Sequence, residues 1–213
     1  MQANSNNATS RPDATTHQTV ALSSEKELDR LTQLNFEELK EEEEDDAYKL
    51  LELSSADAWS MGNTLRSSAL ALLSRRRDVT KPGLVFRIQL LSGLVLFQIS
   101  LGAESSLRLM EMVEKKINVV RTYSHSSLAI GRKLLQQGRS IDSLGPEYAA
   151  HGGAFPIRVA GLEAPVAVVA VSGLDQETDH ALAREAVREI AERQKAARAA
   201  KGREEMDLSK KQV

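Results

Sequence analysis

The sequence feature that most constrains the fold is the run VAVVAVS at residues 166–172. All seven residues are apolar or small, and the four valines are β-branched, which favours an extended strand. A strand of this kind has no side that faces solvent, so it predicts a central strand covered on both faces. The chain must therefore supply helices to both sides of a sheet.

Two hairpins are predicted, and the second of them includes this strand. LVFRIQL (84–90) alternates in polarity, Ser92-Gly93 supplies a two-residue turn, and LVLFQIS (94–100) returns as its partner. FPIRVAG (155–161) precedes the central strand and is separated from it by only Leu162 to Pro165, which predicts a second antiparallel pair. A short strand is also predicted within YKLLEL (48–53).

Helical patterns separate these strands. One follows Ser54 or Ser55, and a second covers residues 104–138 with a break near Tyr123-Ser124. The last is predicted to begin near Asp179. The resulting order is β-α-β-β-α-α-β-β-α. It predicts a single α/β sandwich of about five mostly antiparallel strands with helices on both faces.

Composition and charge argue against several classes of protein. The 213 residues carry a formal net charge of −2, unlike the cationic surface of a nucleic-acid-binding protein. Cysteine is absent, so disulfides and zinc–thiolate sites are excluded, and no metal site is predicted. The N-terminus lacks the apolar core of a secretory signal, and the most apolar segment, residues 84–101, is too polar to span a bilayer. We therefore expect a cytoplasmic protein with no membrane span.

Four segments are predicted along the chain. Residues 1–20 are polar and form a disordered arm, and residues 21–46 form an acidic helix ending in EELKEEEEDD. That helix is either a solvated surface or an arm that docks on a basic partner. Residues 48–192 form the α/β domain, and residues 193–213 form a charged helix that frays into a tail.

Three polar clusters fall at the ends of predicted core elements, where backbone N–H groups become available to an anion. The clusters comprise Lys115, Lys116, His125, Ser126 and Ser127; His151, Gly152 and Gly153; and Ser172, Gly173, Asp179 and His180. Structural roles explain several of these residues equally well. Serines cap helices, glycines supply positive φ angles, and Asp179 is a natural N-cap.

The segments DAWSMGNTL, EKK…VVRTYSHSS, YAAHGGAFPIRV and VAVVAVSGLDQETDH together resemble the GlcG/HbpS-like family, whose domain is described as haem-degrading. The resemblance covers about residues 48–192 and is closest to a small cytosolic fungal and bacterial branch. It implies a profilin-like α/β/α sandwich that forms dimers and larger rings. It also implies haem binding or cobalamin-linked activity in some relatives, and protein-sorting partners in the fungal branch.

This sequence departs from the family pattern at one helix. Relatives carry an Asp-Asn pair, a Trp and an Arg-Lys pair, whereas this chain has Arg108-Leu109, Met112 and Lys115-Lys116. Lys116 matches the family lysine, but the acidic–amide pair and the aromatic residue are missing. The ligand or the assembly of this protein is therefore expected to differ from that of its relatives.

Three functions are compatible with the sequence. The favoured one is an oligomeric protein, possibly an accessory metabolic enzyme, that binds an anionic small molecule. Its pocket would contain Lys116 as the anion partner and a histidine, His151 or His180, as the acid–base group. A non-enzymatic interaction scaffold is the next alternative. A haem protein with a histidine axial ligand is the least favoured, because no haem-attachment motif is present.

The second hairpin predicts where this pocket lies. Its open end brings residues 151–153 close to Ser172-Gly173, and the last helix starts at the same edge. We therefore expect His151, Ser172 and His180 to lie near one another, with Lys116 and Ser126 contributed by the same subunit or by a second one.

Overall fold

A computed structural model describes residues 25–75, 83–102 and 105–210. The predicted arm at residues 1–20 lies outside the described residues. The helices are α1 (Glu25–Gln33), α2 (Phe36–Glu44), α3 (Ser55–Arg75), α4 (Leu107–Tyr123), α5 (Ser127–Gln136) and α6 (Gln176–Lys210). The strands are β1 (Lys49–Leu50), β2 (Leu84–Leu90), β3 (Val95–Leu101), β4 (Ala154–Val159) and β5 (Ala167–Ser172).

The five strands form one sheet in the order β1-β4-β5-β2-β3. The apolar strand β5 is central and every one of its residues is buried, as the uniform hydrophobicity predicts. It pairs antiparallel with β4 and β2, and β2 pairs antiparallel with β3. Only the two-residue β1 is parallel, to β4. The predicted α/β sandwich with a mostly antiparallel five-stranded sheet is confirmed.

Both faces of the sheet are covered by helices. On one face α3 and α6 pack on Phe86, Phe155 and Val169. On the other face α4 packs on Val85, Val168 and the other inward residues of the same strands, and α5 follows beside it. The alternation of side chains along each strand therefore feeds two separate apolar layers.

The acidic segment forms two packed helices rather than the single helix predicted. Asn35 interrupts it, because its side chain accepts hydrogen bonds from the backbone N–H groups of Glu37 and Glu38, and the Glu38 carboxylate accepts from Asn35 N. Leu31, Phe36 and Leu39, from the inward sides of these helices, lie in a buried cluster with α5. The segment is therefore part of the folded core as well as an acidic surface.

Helix α6 starts at Gln176, earlier than the expected start near Asp179. Its first turn is capped by Asp175, whose carboxylate accepts from Thr178 N at 2.8 Å, so Asp179 lies inside the helix rather than at its N-cap. The helix continues to Lys210, and residues 196–209 are exposed. Within residues 25–75, 83–102 and 105–210, none of the helices is long and apolar enough to cross a membrane.

Candidate functional site

Lys116 is buried and already paired. Its Nζ donates to Val171 O at 2.9 Å and to the Asp179 carboxylate at 3.0 Å, and both side chains are at most 3% exposed. Burial raises the pKa of Asp179, and the adjacent Lys116 ammonium opposes that shift. The pair joins α4, β5 and α6 at one point. The charge of Lys116 is therefore compensated inside the fold.

The two glycines after His151 allow the chain to approach this ion pair. Gly153 has φ +129°, and a Cβ there would overlap Val171 O and lie 2.6 Å from Lys116 Nζ. A Cβ at Gly152 would overlap Gln176 O in the first turn of α6. Gly173 has φ +138° and lies equally close to the Gly83 backbone. Each glycine is required by a close backbone contact.

The serines of the predicted site are also committed to structural contacts. Ser126 is the N-cap of α5, and its Oγ accepts from Ala129 N at 3.1 Å. Ser127 Oγ accepts from Ala154 N at 3.0 Å, which joins α5 to the start of β4. Ser172 ends the central strand opposite Val85 and is buried. All three lie near the same end of β4 and β5.

His180 lies in the core of the sandwich. Its ring packs edge-on against Phe155 with 5.7 Å between ring centroids, and its Nδ1 has no hydrogen-bond partner among the residues that the structure describes. Burial, followed by the nearby charges of Arg184 and Arg132, lowers its pKa from 6.5 to about 3. The imidazole is therefore neutral at physiological pH.

His151 has a different environment, because its side chain is 36% exposed and faces a cleft of about 500 Å³. Its Nε2 lies 3.4 Å from the Asp142 carboxylate. The cleft is formed where α4 meets the loop at residues 137–153, and it is lined by Arg108, Met112, Lys115, Asp142, Gly145, Pro146, Tyr148, Ala149 and His151. Its volume falls in the range typical of small-molecule sites.

Helical spacing explains the α4 wall of this cleft. Arg108, Met112 and Lys115 are separated by four and three residues, so they share one helix face. Lys115 and Lys116 are about 100° apart around the helix, which places Lys115 in the cleft and Lys116 in the core. The sequence analysis identified Arg108 and Met112 only as departures from the family pattern, and Lys115 as part of a polar cluster. Their common spacing was the available signal for a shared wall.

Backbone hydrogen bonds fix the loop wall against α4. Ala149 N donates to Lys115 O at 3.2 Å, and Asn118 Nδ2 donates to Glu147 O at 3.0 Å. Among the described residues, the Arg108 guanidinium and the Lys115 ammonium have no carboxylate partner. The cleft therefore presents two cations, one imidazole with the Asp142 carboxylate beside it, and an apolar methionine on a fixed scaffold.

The hairpin geometry brings the predicted chain positions together but separates their side chains. Val171 N donates to Gly153 O at 2.8 Å, so the loop after His151 does meet the end of β5. His151 itself turns into the outer cleft, whereas Lys116, Ser126, Ser127, Ser172 and His180 are buried. Assignment of these residues to a ligand site stays a prediction.

The chain is similar in sequence and in fold to known proteins. A family model described as "Haem degrading protein HbpS-like" matches residues 53–188. A UPF0303 protein of Burkholderia mallei is 39% identical over 140 residues, covering 64% of this chain and 78% of that protein. The crystal structure of the Ybr137w protein has a TM-score of 0.66 and 26% identity, and it covers 78% of this chain and 94% of that one. The crystal structure of the PduOC:heme complex, at 17% identity and a TM-score of 0.51, covers 63% and 92% and shows likeness of fold alone.

Proposed function

Since the chain belongs to the HbpS-like family of haem-degrading proteins, we propose that it binds an anionic small molecule in the cleft that contains His151. One observation carries this proposal: Arg108, Lys115 and His151 converge on the same cleft. Guanidinium and ammonium groups bind carboxylates and phosphates by charge-assisted hydrogen bonds. Met112 and the ring of Tyr148 supply apolar surface for the rest of the ligand.

We propose Lys115, rather than the expected Lys116, as the partner of the anion. Lys116 is compensated by Asp179, so a ligand would have to compete with a buried carboxylate. Lys115 lines the cleft without such a partner among the described residues. His151, with Asp142 beside it, is the group that we propose for proton transfer if a reaction occurs.

The test is isothermal titration calorimetry of the full chain with citrate and with inorganic phosphate at low ionic strength. We expect Arg108→Ala and Lys115→Ala each to weaken binding about tenfold, because each removes a hydrogen bond to a charged group. Arg66→Ala is the matched control, since Arg66 is exposed on α3 and absent from the cleft lining. Equal affinity in wild type and both cleft variants would refute the assignment.

Haem is the second candidate, favoured by the description of the family. Of the three histidines in the described residues, His151 lines the cleft, whereas His180 packs on Phe155 and His125 contacts Glu43. In the cleft, His151 would supply a nitrogen ligand to the haem iron, and Arg108 and Lys115 would pair with the propionates. A saturable 1:1 Soret band that His151→Ala abolishes would support haem. Absence of that band in wild type would leave the smaller anion as the ligand.

We also propose that the protein is a cytoplasmic homo-oligomer. Trp59 is 64% exposed and packs edge-on against Phe97 of β3, the strand at one edge of the sheet. Leu94 and Val95 at the start of that strand are also exposed. Exposed apolar side chains at a sheet edge are typical of a protein–protein contact. A monomer mass by light scattering at micromolar concentration would argue against assembly.

A further inference from the structure

The C-terminal part of α6 extends beyond the fold, where residues 196–203 form a basic extension and the acidic Glu204, Glu205 and Asp207 follow it. Residues 196–209 are all exposed, and residues 193–203 contain five basic and no acidic side chains. Among the described residues, Arg198, Lys201 and Arg203 have no ion-pair partner. An exposed helix gains little stability from propensity alone, so a packing surface would stabilise it further.

The basic side chains follow one side of the helix that already meets the acidic segment. Lys195, Arg198 and Lys201 are spaced three residues apart, which gives a single slanting row. Lys195 donates to Asp46 O of its own chain. Arg198 and Lys201 continue this row about 4.5 and 9 Å further along the helix axis. The row therefore begins on the acidic segment and extends past it.

The acidic segment has an outer surface of the opposite charge. Leu39 and Glu43 of α2 are buried, whereas Glu37, Glu41 and Glu44 point outward. These three glutamates have no ion-pair partner among the described residues. A groove of about 570 Å³ runs beside them, and its lining includes Glu38, Glu41, Glu42 and Asp45 with one cation, Arg30.

We propose that this acidic surface of α2 binds the basic extension of α6 from a second copy of the chain. The charges are complementary, and the two segments are similar in length, since the nine residues of α2 span about 13.5 Å and the eight residues 196–203 about 12 Å. Each copy carries both surfaces, so two copies related by a two-fold axis would exchange their extensions reciprocally.

This inference deepens the proposed self-assembly by naming a contact, and it lies outside the matched family region at residues 53–188. It is independent of the ligand cleft, because neither α2 nor the extension of α6 lines it. An electrostatic contact of this kind weakens with salt, since the screening length shortens from about 30 Å at 0.01 M to about 10 Å at 0.1 M.

Charge reversal of the full chain tests the proposal, with association measured by light scattering and analytical ultracentrifugation at low and high salt. The basic reversal is Arg198→Glu with Lys201→Glu, and the acidic reversal is Glu41→Lys with Glu44→Lys. All four side chains are exposed, so thermal stability should be unchanged. The control reverses two exposed arginines elsewhere, Arg66→Glu with Arg139→Glu.

We expect either reversal alone to weaken self-association about tenfold at low salt, and the control to leave it unchanged. An equimolar mixture of the basic and acidic reversals should regain association, because each extension then meets a surface of opposite charge. Failure of the mixture to regain it would overturn the contact. An oligomer unaffected by both reversals would overturn the contact but leave self-assembly in place, and a wild-type monomer would overturn both.

Discussion

Residues with the same chemistry have opposite environments in this protein. Lys115 lines the open cleft, whereas Lys116 is sealed in the core with Asp179. His151 is partly exposed, whereas His180 is enclosed and neutral. Residue type therefore identified candidates, but the face of the helix or the direction of the loop decided which of them a ligand can reach.

The buried His180 makes stability depend on pH. Its pKa falls from 6.5 to about 3, so below pH 6.5 the unfolded chain binds a proton that the folded chain does not. Stability attributable to this residue is therefore lost as pH falls through that window, by up to about 1.4 kcal/mol per pH unit.

We expect His180→Leu to reduce the loss of unfolding free energy between about pH 7 and pH 5 by about 2 kcal/mol. Urea unfolding of wild type and variant at both pH values measures the difference. A variant whose pH dependence parallels that of wild type would show that His180 is solvated or charged in the fold.

Comparing substitutions at Gly153 and Gly93 distinguishes the cost of backbone strain from the cost of steric overlap. Both have positive φ angles, but a Cβ at Gly153 would overlap Val171 O and Lys116 Nζ, while a Cβ at Gly93 would meet nothing within 4 Å. We expect Gly93→Ala to cost about 1 kcal/mol and Gly153→Ala about 3 kcal/mol or more, from thermal or urea unfolding. Equal losses would mean that Gly153 serves only as a turn.

At the scale of elements, strands were the most predictable. The alternation in residues 84–90 and the apolar run at residues 166–172 identified β2 and β5, since a strand's burial is encoded locally by period and composition. The split of residues 104–138 into α4 and α5 was also predicted. The cleft was not, because its walls come from α4 and a loop whose position depends on tertiary hydrogen bonds.

The packing of the acidic helices depends on partners distant in sequence, which local patterns do not reveal. Arg184 of α6 is 5% exposed and forms ion pairs with Glu27 of α1 and Glu42 of α2. Glu43 of α2 accepts from Ser126 N at the start of α5. These contacts convert a charged surface segment into part of the domain.

We expect Arg184→Ala to lower the free energy of unfolding by about 2 kcal/mol, because it removes a buried cation from two carboxylates. Arg188→Ala is the control on the same helix. Arg188 pairs with Glu185 and Glu192 at a more exposed position, so its loss should be under about 1 kcal/mol. Similar losses for both variants would indicate that the ion pairs of Arg184 do not stabilise the packing of α1 and α2.

At the scale of the whole molecule, the residues that match the family model are flanked on both sides by charged helices. The matched region at residues 53–188 contains strands β2 to β5, the buried ion pair and the cleft, while α1, α2, β1 and the end of α6 lie outside it. We therefore propose that the matched region binds a small anion and that the charged helices outside it bind a second copy of the chain.

The central claim is that the ligand site is the His151 cleft, and nuclear magnetic resonance of the ¹⁵N-labelled full chain titrated with citrate tests it most directly. We predict that backbone amide shifts change for Arg108, Met112, Lys115, Tyr148 and His151, and that the amides of Ser126, Ser172 and Gly173 stay in place. Changes concentrated at those last three amides, or none in the cleft at saturating citrate, would contradict the account.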